Sequence, residues 1–183
     1  GLAKSRGMTV SYAPLAATLD REVDWFTRVL GEHMRRVGED DAAGPVVSLP
    51  PPAFRELCAY GAVVTAHDLG WRERLSLILA LLPWVRPEAL DPLLLQNQAT
   101  GRPFTEFGGG FVPGRGFVPT RQTALFLFAG DNSVRRARSM AMFAVDGKLV
   151  EACLLARQAD DYAPWMPLDP HPQLIERLFR APD

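Results

Sequence analysis

The sequence predicts a mainly α-helical fold with a small β component, an α+β domain. Apolar residues recur at helical spacing through most of the chain, and segments rich in glycine and proline separate the helices. Toward the C-terminus the predicted order is helix, helix, strand, loop, strand, helix, which is typical of a winged-helix-like domain. The length of 183 residues, with 48% hydrophobic and 22% charged residues, suits one unit with a substantial core.

The first predicted element is an extra long amphipathic helix within residues 8–38. Apolar residues recur there every three or four positions, with charged residues between them. The apolar stripe can pack on the rest of the domain or against a partner chain. Residues 1–7 precede Met8 and are interpreted as an expression-tag remnant. Residues 39–51 are interpreted as a linker, and residues 52–183 as the helical winged-helix-like domain.

The middle of the chain predicts three further helices. The first covers residues 52–66, with Pro52 in its opening turn. The second, residues 71–82, is apolar on almost every side and should lie at the centre of the core. Pro83 should end it, and the third helix should cover residues 87–96.

Residues 99–119 differ in character from the rest. They are rich in glycine and proline and contain four phenylalanines. A loop of this length inside a compact domain is uncommon unless it is functional or mobile. We therefore expect a functional loop, part of which packs through its aromatic side chains.

The C-terminal part predicts short elements. Thr120 should cap a helix that ends at Gly130. The remaining elements are a helix at residues 134–143, strands at 150–156 and 165–168, and a closing helix at 172–180.

Motifs for catalysis, metal or cofactor binding are incomplete. A phosphate-binding loop needs a lysine and a hydroxyl, and the nearest string, residues 109–116, has neither. The two cysteines stand alone, and the three histidines, which we expect on the surface, lie far apart, so neither a zinc site nor a disulfide framework is predicted. We expect no catalytic residue, metal or cofactor in this chain. An enzyme that uses Glu106 or Asp131 is a third hypothesis, for which the sequence pairs no second group with either residue.

The charge pattern favours nucleic-acid binding only locally. The net charge of -1 gives no general attraction to nucleic acid or to anionic membranes. Basic residues exceed acidic ones between residues 101 and 148, and Arg135, Arg136 and Arg138 form the densest basic group. A winged-helix DNA-binding regulator is therefore the alternative hypothesis.

The apolar segments do not predict membrane association. The longest run, residues 75–85, is about half of the roughly 20 residues that a membrane-spanning helix needs, and Pro83 interrupts it. The first residues lack the apolar stretch of a signal peptide. We therefore expect a cytoplasmic protein with no membrane partner.

Several sequence blocks resemble one bacterial family. They are PFTEFGG at 103–109, GFVPT at 116–120 and TALFLFAGD at 123–131, with a further block at 74–91 and weaker likeness near 167–178. The pattern is similar to the winged-helix domain that precedes the ATPase module in certain AAA+ ATPases, including those encoded with extracellular contractile injection systems. The likeness covers about a third of the chain, residues 70–131.

The resemblance implies a non-catalytic N-terminal domain that receives a protein partner or substrate for a hexameric motor. ATP would bind in a module beyond Asp183, through which the protein would also self-associate. The long N-terminal helix would be an additional docking element. We expect the partner to contact the aromatic loop through Phe104, Glu106, Phe107, Phe111 and Phe117.

Overall fold

The computed structural model describes residues 11–37 and 49–180. The predicted tag remnant and most of the predicted linker lie outside the described residues. The mainly α-helical class with a small β component is confirmed. The helices are α1 Ala13–Arg36, α2 Ala59–Ala66, α3 Trp71–Val85, α4 Arg121–Ala129, α5 Ser133–Met140, α6 Lys148–Glu151 and α7 Pro172–Phe179. The strands are β1 Gln96–Asn97, β2 Arg102–Pro103, β3 Gly110–Val112 and β4 Gly116–Val118.

The long N-terminal helix is confirmed as α1, and its apolar stripe packs on the rest of the domain. Leu19, Val23, Phe26 and Leu30 are buried in the same core as residues of α2, α3 and α4. Of the two alternatives for this stripe, the structure shows packing within the chain. The helix is held by tertiary contacts along its whole length, as expected for an amphipathic helix in water.

The predicted central helix is confirmed as α3, where seven consecutive residues from Ser76 to Leu82 are buried. The prediction that Pro83 ends it is wrong. Pro83 lies in the last turn, which continues to Val85, and the Arg86 amide donates to the Leu82 carbonyl. A proline removes one backbone donor, and the packing of the buried face outweighs that loss.

Two predicted helices take other forms. Residues 52–58 are not helical, and α2 begins at Ala59, because tertiary hydrogen bonds hold the preceding segment in an irregular conformation. The Trp25 indole N–H donates to the Leu49 carbonyl (2.9 Å), and Arg74 Nη2 donates to the Pro52 carbonyl (2.6 Å). The helix predicted at 87–96 is instead a 3₁₀ helix, Pro87–Leu94, which contains a second proline.

The aromatic loop is largely ordered into two antiparallel hairpins. Strand β1 pairs with β2, and β3 pairs with β4 with Phe111 opposite Phe117. The backbone at Gly109 has a φ of 59°, and a Cβ there would lie 2.3 Å from the Val118 carbonyl oxygen. Glycine is therefore needed at this position both for its conformation and for the close approach of the second hairpin.

The C-terminal strands were predicted wrongly. Residues 148–151 form the short helix α6, and between it and Arg180 the β-structure is limited to isolated bridges, one between Thr120 and Pro167 and one between Leu155 and Pro170. Prolines lack the N–H that a continuous ladder requires, and three of them occur at 164, 167 and 170. The predicted winged-helix succession, with two strands after the second helix, is therefore not found in the described residues, because α6 and isolated bridges follow α5 and both hairpins precede α4. The helix predicted at 134–143 is α5 followed by a 3₁₀ turn, Ala141–Phe143.

Within residues 11–37 and 49–180, no helix combines the length and the apolarity that crossing a bilayer requires.

Candidate partner-binding site

The structure divides the predicted docking phenylalanines between the core and the surface. Phe107 and Phe117 are 1% and 2% exposed. The Phe107 ring lies 5.1 Å from that of Phe126 and 5.0 Å from that of Phe104. The expectation that a partner contacts Phe107 and Phe117 is therefore corrected: both belong to the core, where a partner cannot reach them without unfolding the loop.

The other predicted contact residues are accessible to different degrees. Phe111, on β3, is 63% exposed, and Glu106 is also exposed. Phe104 is half-buried and packs against the core. The buried rings anchor the loop, and Phe111 and Glu106 remain for contact with another molecule.

A cleft of about 680 Å³ lies beside this loop. Three separate segments form it: the residues before β3, the start of α4, and the turn at Pro164 and Trp165. Its lining residues are Thr105, Glu106, Gly108, Gly109, Thr120, Gln122, Pro164 and Trp165. The Trp165 side chain is 71% exposed. The volume falls within the range of clefts that bind small molecules.

Side-chain hydrogen bonds hold the loop wall of the cleft against α4. Thr120 Oγ1 accepts a hydrogen bond from the Gly109 amide (3.1 Å). Gln122 Nε2 donates to the Glu106 carbonyl (3.0 Å), and Gln122 Oε1 accepts from Arg136 Nη2 (2.7 Å). These bonds fix the wall in one position, so that a ligand would meet a preformed surface.

The opposite wall is fixed by backbone hydrogen bonds. The Gln122 amide donates to the Pro164 carbonyl (2.8 Å), and the Arg121 amide donates to the Met166 carbonyl (3.0 Å). Both bonds come from the first turn of α4, where backbone donors lack partners within the helix. The exposed indole of Trp165 lies between these two anchor points.

The buried guanidinium of Arg121 supports the same turn from below the surface. Its Nη1 donates to the Asp160 carbonyl (2.7 Å) and its Nη2 to the Phe143 carbonyl (3.3 Å). Burial lowers the pKa of Arg121, and Asp161 and Asp160 oppose this effect. Hydrogen bonds from the Tyr162 and Ala163 amides lower the pKa of the Asp160 carboxyl, because they stabilise its charged form.

The predicted nucleic-acid residues occupy different positions on α5. Arg138 is exposed, whereas Arg135 and Arg136 are half-buried. Arg136 is engaged with Gln122 at the cleft. The structure thus brings Arg136 to the same site as Glu106, a relation that the sequence did not predict.

Sequence reasoning missed most of the cleft. Gln122 and Trp165 are 43 positions apart, and Trp165 was assigned to a strand. No periodicity or motif connects such distant positions, which are brought together by backbone hydrogen bonds from the start of α4 to the carbonyls of Pro164 and Met166. The glycines before β3 were the one useful indication, since glycine clusters mark close backbone approaches.

In the two described parts of the chain, no group of three or more His, Cys, Asp or Glu residues could hold a metal ion. Cys58 and Cys153 are free thiols. The expectation that all histidines lie on the surface is wrong for His33, which is 6% exposed and lies 5.4 Å from the Phe126 ring.

A second feature that the sequence did not reveal is a buried ion pair. Glu22 on α1 is fully buried and accepts hydrogen bonds from Arg74 Nε on α3 (3.0 Å) and from the Tyr60 hydroxyl on α2 (2.7 Å). The Arg74 guanidinium also lies 4.2 Å from the Phe54 ring centre. Burial raises the pKa of Tyr60 well above its ordinary value, and the Glu22 charge adds to this. This cluster joins three helices through its ion pair and hydrogen bonds, so we interpret it as structural.

Comparisons with known proteins add no family assignment. No protein-family model matches the chain, and comparison with curated proteins and with solved structures likewise found no match.

Proposed function

We propose that the chain is a non-catalytic recognition domain of an AAA+ ATPase. In this proposal it is cytoplasmic and binds a protein partner or substrate for a motor module that would follow Asp183. The observation that carries the proposal is the cleft beside the aromatic loop, with the exposed indole of Trp165 on its wall. The resemblance of residues 103–109 to such domains supports the assignment to an ATPase.

The physical basis of docking is the rigidity of the exposed aromatic surface. Large aromatic side chains carry much of the binding energy at protein interfaces, especially where their surroundings are already ordered. Trp165 follows a residue fixed to α4, and Phe111 lies two residues beyond Gly109 on a hairpin with a buried ring opposite. A partner that covers both rings would bury apolar surface without ordering a loop.

Capture of purified injection-system components by the immobilised chain tests the proposal. We expect the wild-type chain to retain a component, and Trp165→Ala and Phe111→Ala each to weaken retention by about tenfold or more. Leu57→Ala is a matched control, because Leu57 is 99% exposed but lines a different cleft, between α1 and α7. Equal retention by all variants, or no retention by the wild type, would reject docking at this site.

The alternative function is DNA binding by a winged-helix regulator. The exposed Arg138 and half-buried Arg135 of α5, the helix that follows α4, favour it. Binding to random duplex DNA should then weaken steeply as salt rises, and Arg135→Ala and Arg138→Ala should flatten that dependence. Absence of binding near physiological salt would reject this alternative.

A further inference from the structure

We infer that the cleft takes an arginine or lysine side chain of the partner polypeptide, an inference that rests on the proposed docking function. The juxtaposition that carries it is an unneutralised carboxylate, Glu106, and an exposed indole, Trp165, on the walls of one cleft. The two groups suit the two ends of a long basic side chain, a cationic head and an apolar stem.

The Glu106 carboxylate is free to accept a ligand's donors. Glu106 is exposed, and within the described ranges its carboxylate makes no ion pair or hydrogen bond. Gln122 Nε2 donates to the backbone carbonyl of Glu106 and leaves the carboxylate available. The other residues that line the cleft are Gly108, Gly109, Pro164 and Trp165 together with the polar Thr105, Thr120 and Gln122. Because the carboxylate is exposed, its attraction for a cation is that of a surface charge, and the Trp165 indole supplies the rest of the interaction.

The Trp165 indole provides the second half of the site. A guanidinium or ammonium over an indole face is attracted by the ring quadrupole, and tryptophan is the strongest such partner. The apolar stem of the same side chain can cover Pro164 and the ring edge. An acidic side chain would find neither interaction, since Glu106 would repel it.

Arg136 is the basic group that the hydrogen-bond network brings to this cleft. Its guanidinium donates to the neutral amide of Gln122 at 2.7 Å rather than to Glu106. Its charge opposes a bound cation, so removing that charge should tighten the binding of a basic ligand and weaken that of an acidic one. This opposite response distinguishes the two ligand classes without disturbing Glu106.

Selection from a library of random displayed peptides tests the inference on the chain itself. Peptides are selected on the wild-type chain, with the Trp165→Ala chain used to remove those that bind elsewhere. We expect the retained peptides to share an arginine or lysine. Replacing that residue with norleucine, or using Glu106→Gln, should weaken binding by about tenfold.

Two further variants complete the experiment. Arg136→Gln, which keeps an amide donor for Gln122, should tighten binding, and Glu106→Lys should select peptides with an acidic residue instead. Glu151→Gln, an exposed acid on α6, is the matched control and should bind as the wild type does. Circular dichroism checks that each variant is folded.

The outcomes separate this inference from the proposed function. Retained peptides without a shared basic residue, or full binding by Glu106→Gln, would overturn the basic-ligand inference and leave docking at Trp165 intact. If no peptide binds the wild-type chain better than the Trp165→Ala chain, both the basic-ligand inference and the proposed docking function are overturned.

Discussion

Replacing His33 should remove a large part of the acid sensitivity of this fold. The imidazole is buried against Phe126, and in the described residues its Nε2 has no hydrogen-bond partner. Burial, assisted by the Arg36 charge, lowers the pKa of His33 from 6.5 to about 4. The unfolded chain therefore binds this proton at a higher pH than the folded chain does. The stability that the neutral His33 imidazole contributes is fully present above about pH 6.5 and is lost as the pH falls toward about 4.

The magnitude follows from the same two values. At about 1.4 kcal/mol for each pKa unit, the difference corresponds to a loss of about 3 kcal/mol in the free energy of unfolding across this interval. Urea unfolding at a series of pH values measures it in the wild type and in His33→Phe, which keeps a ring but cannot titrate. Between neutral pH and pH 4, the free energy of unfolding of His33→Phe should fall by about 3 kcal/mol less than that of the wild type.

A matched control separates titration from general destabilisation. Val23→Ala removes buried methyl groups from the same helix but keeps the imidazole, so it should lower stability at every pH and keep the wild-type slope. The reasoning is refuted if His33→Phe and the wild type lose stability in parallel as the pH falls.

Three further predictions concern stability, each measured by urea unfolding. Glu22→Gln should lower the free energy of unfolding by about 3–5 kcal/mol, because it leaves the buried guanidinium of Arg74 without its ion-pair partner. A loss below about 1 kcal/mol would contradict the stabilising role of this ion pair. Phe107→Ala should lower the free energy of unfolding by about 3–5 kcal/mol and Phe111→Ala by less than about 0.5 kcal/mol, because the first ring is buried and the second is exposed. Equal losses would contradict the assignment of Phe107 to the core and Phe111 to the surface. Gly109→Ala should lower the free energy of unfolding more than Gly114→Ala does. Both glycines have a positive φ, but of the two added Cβ atoms only the one at Gly114 has open space. Similar losses for the two variants would contradict the close approach of Gly109 to β4.

The helices of the fold were predictable where one strong pattern acts over a long segment. The stripe of α1 and the apolar run of α3 appear directly in the spacing of apolar residues. The failures have local causes. Residues 52–58 make tertiary hydrogen bonds that compete with a helix, and the segment from 164 to 170 contains prolines that prevent a ladder.

The candidate site was predictable only in part. The composition of the aromatic loop indicated the right region, but alternation alone could not show that Phe107 is buried and Phe111 exposed. That difference depends on which ring faces Phe126, a contact across the fold. Gln122, Trp165 and the buried Glu22 make their contacts through pairings between distant segments, and the sequence carries no local pattern for such pairings.

The prolines at the bridged segment also affect how the folded chain meets its own copies in solution. An exposed β-edge with free amide donors can recruit the edge of a neighbouring molecule and so begin aggregation. At the exposed Pro167 that donor is missing from the backbone itself. The segment thus keeps its isolated bridge at Pro167 while offering little template for intermolecular strands there.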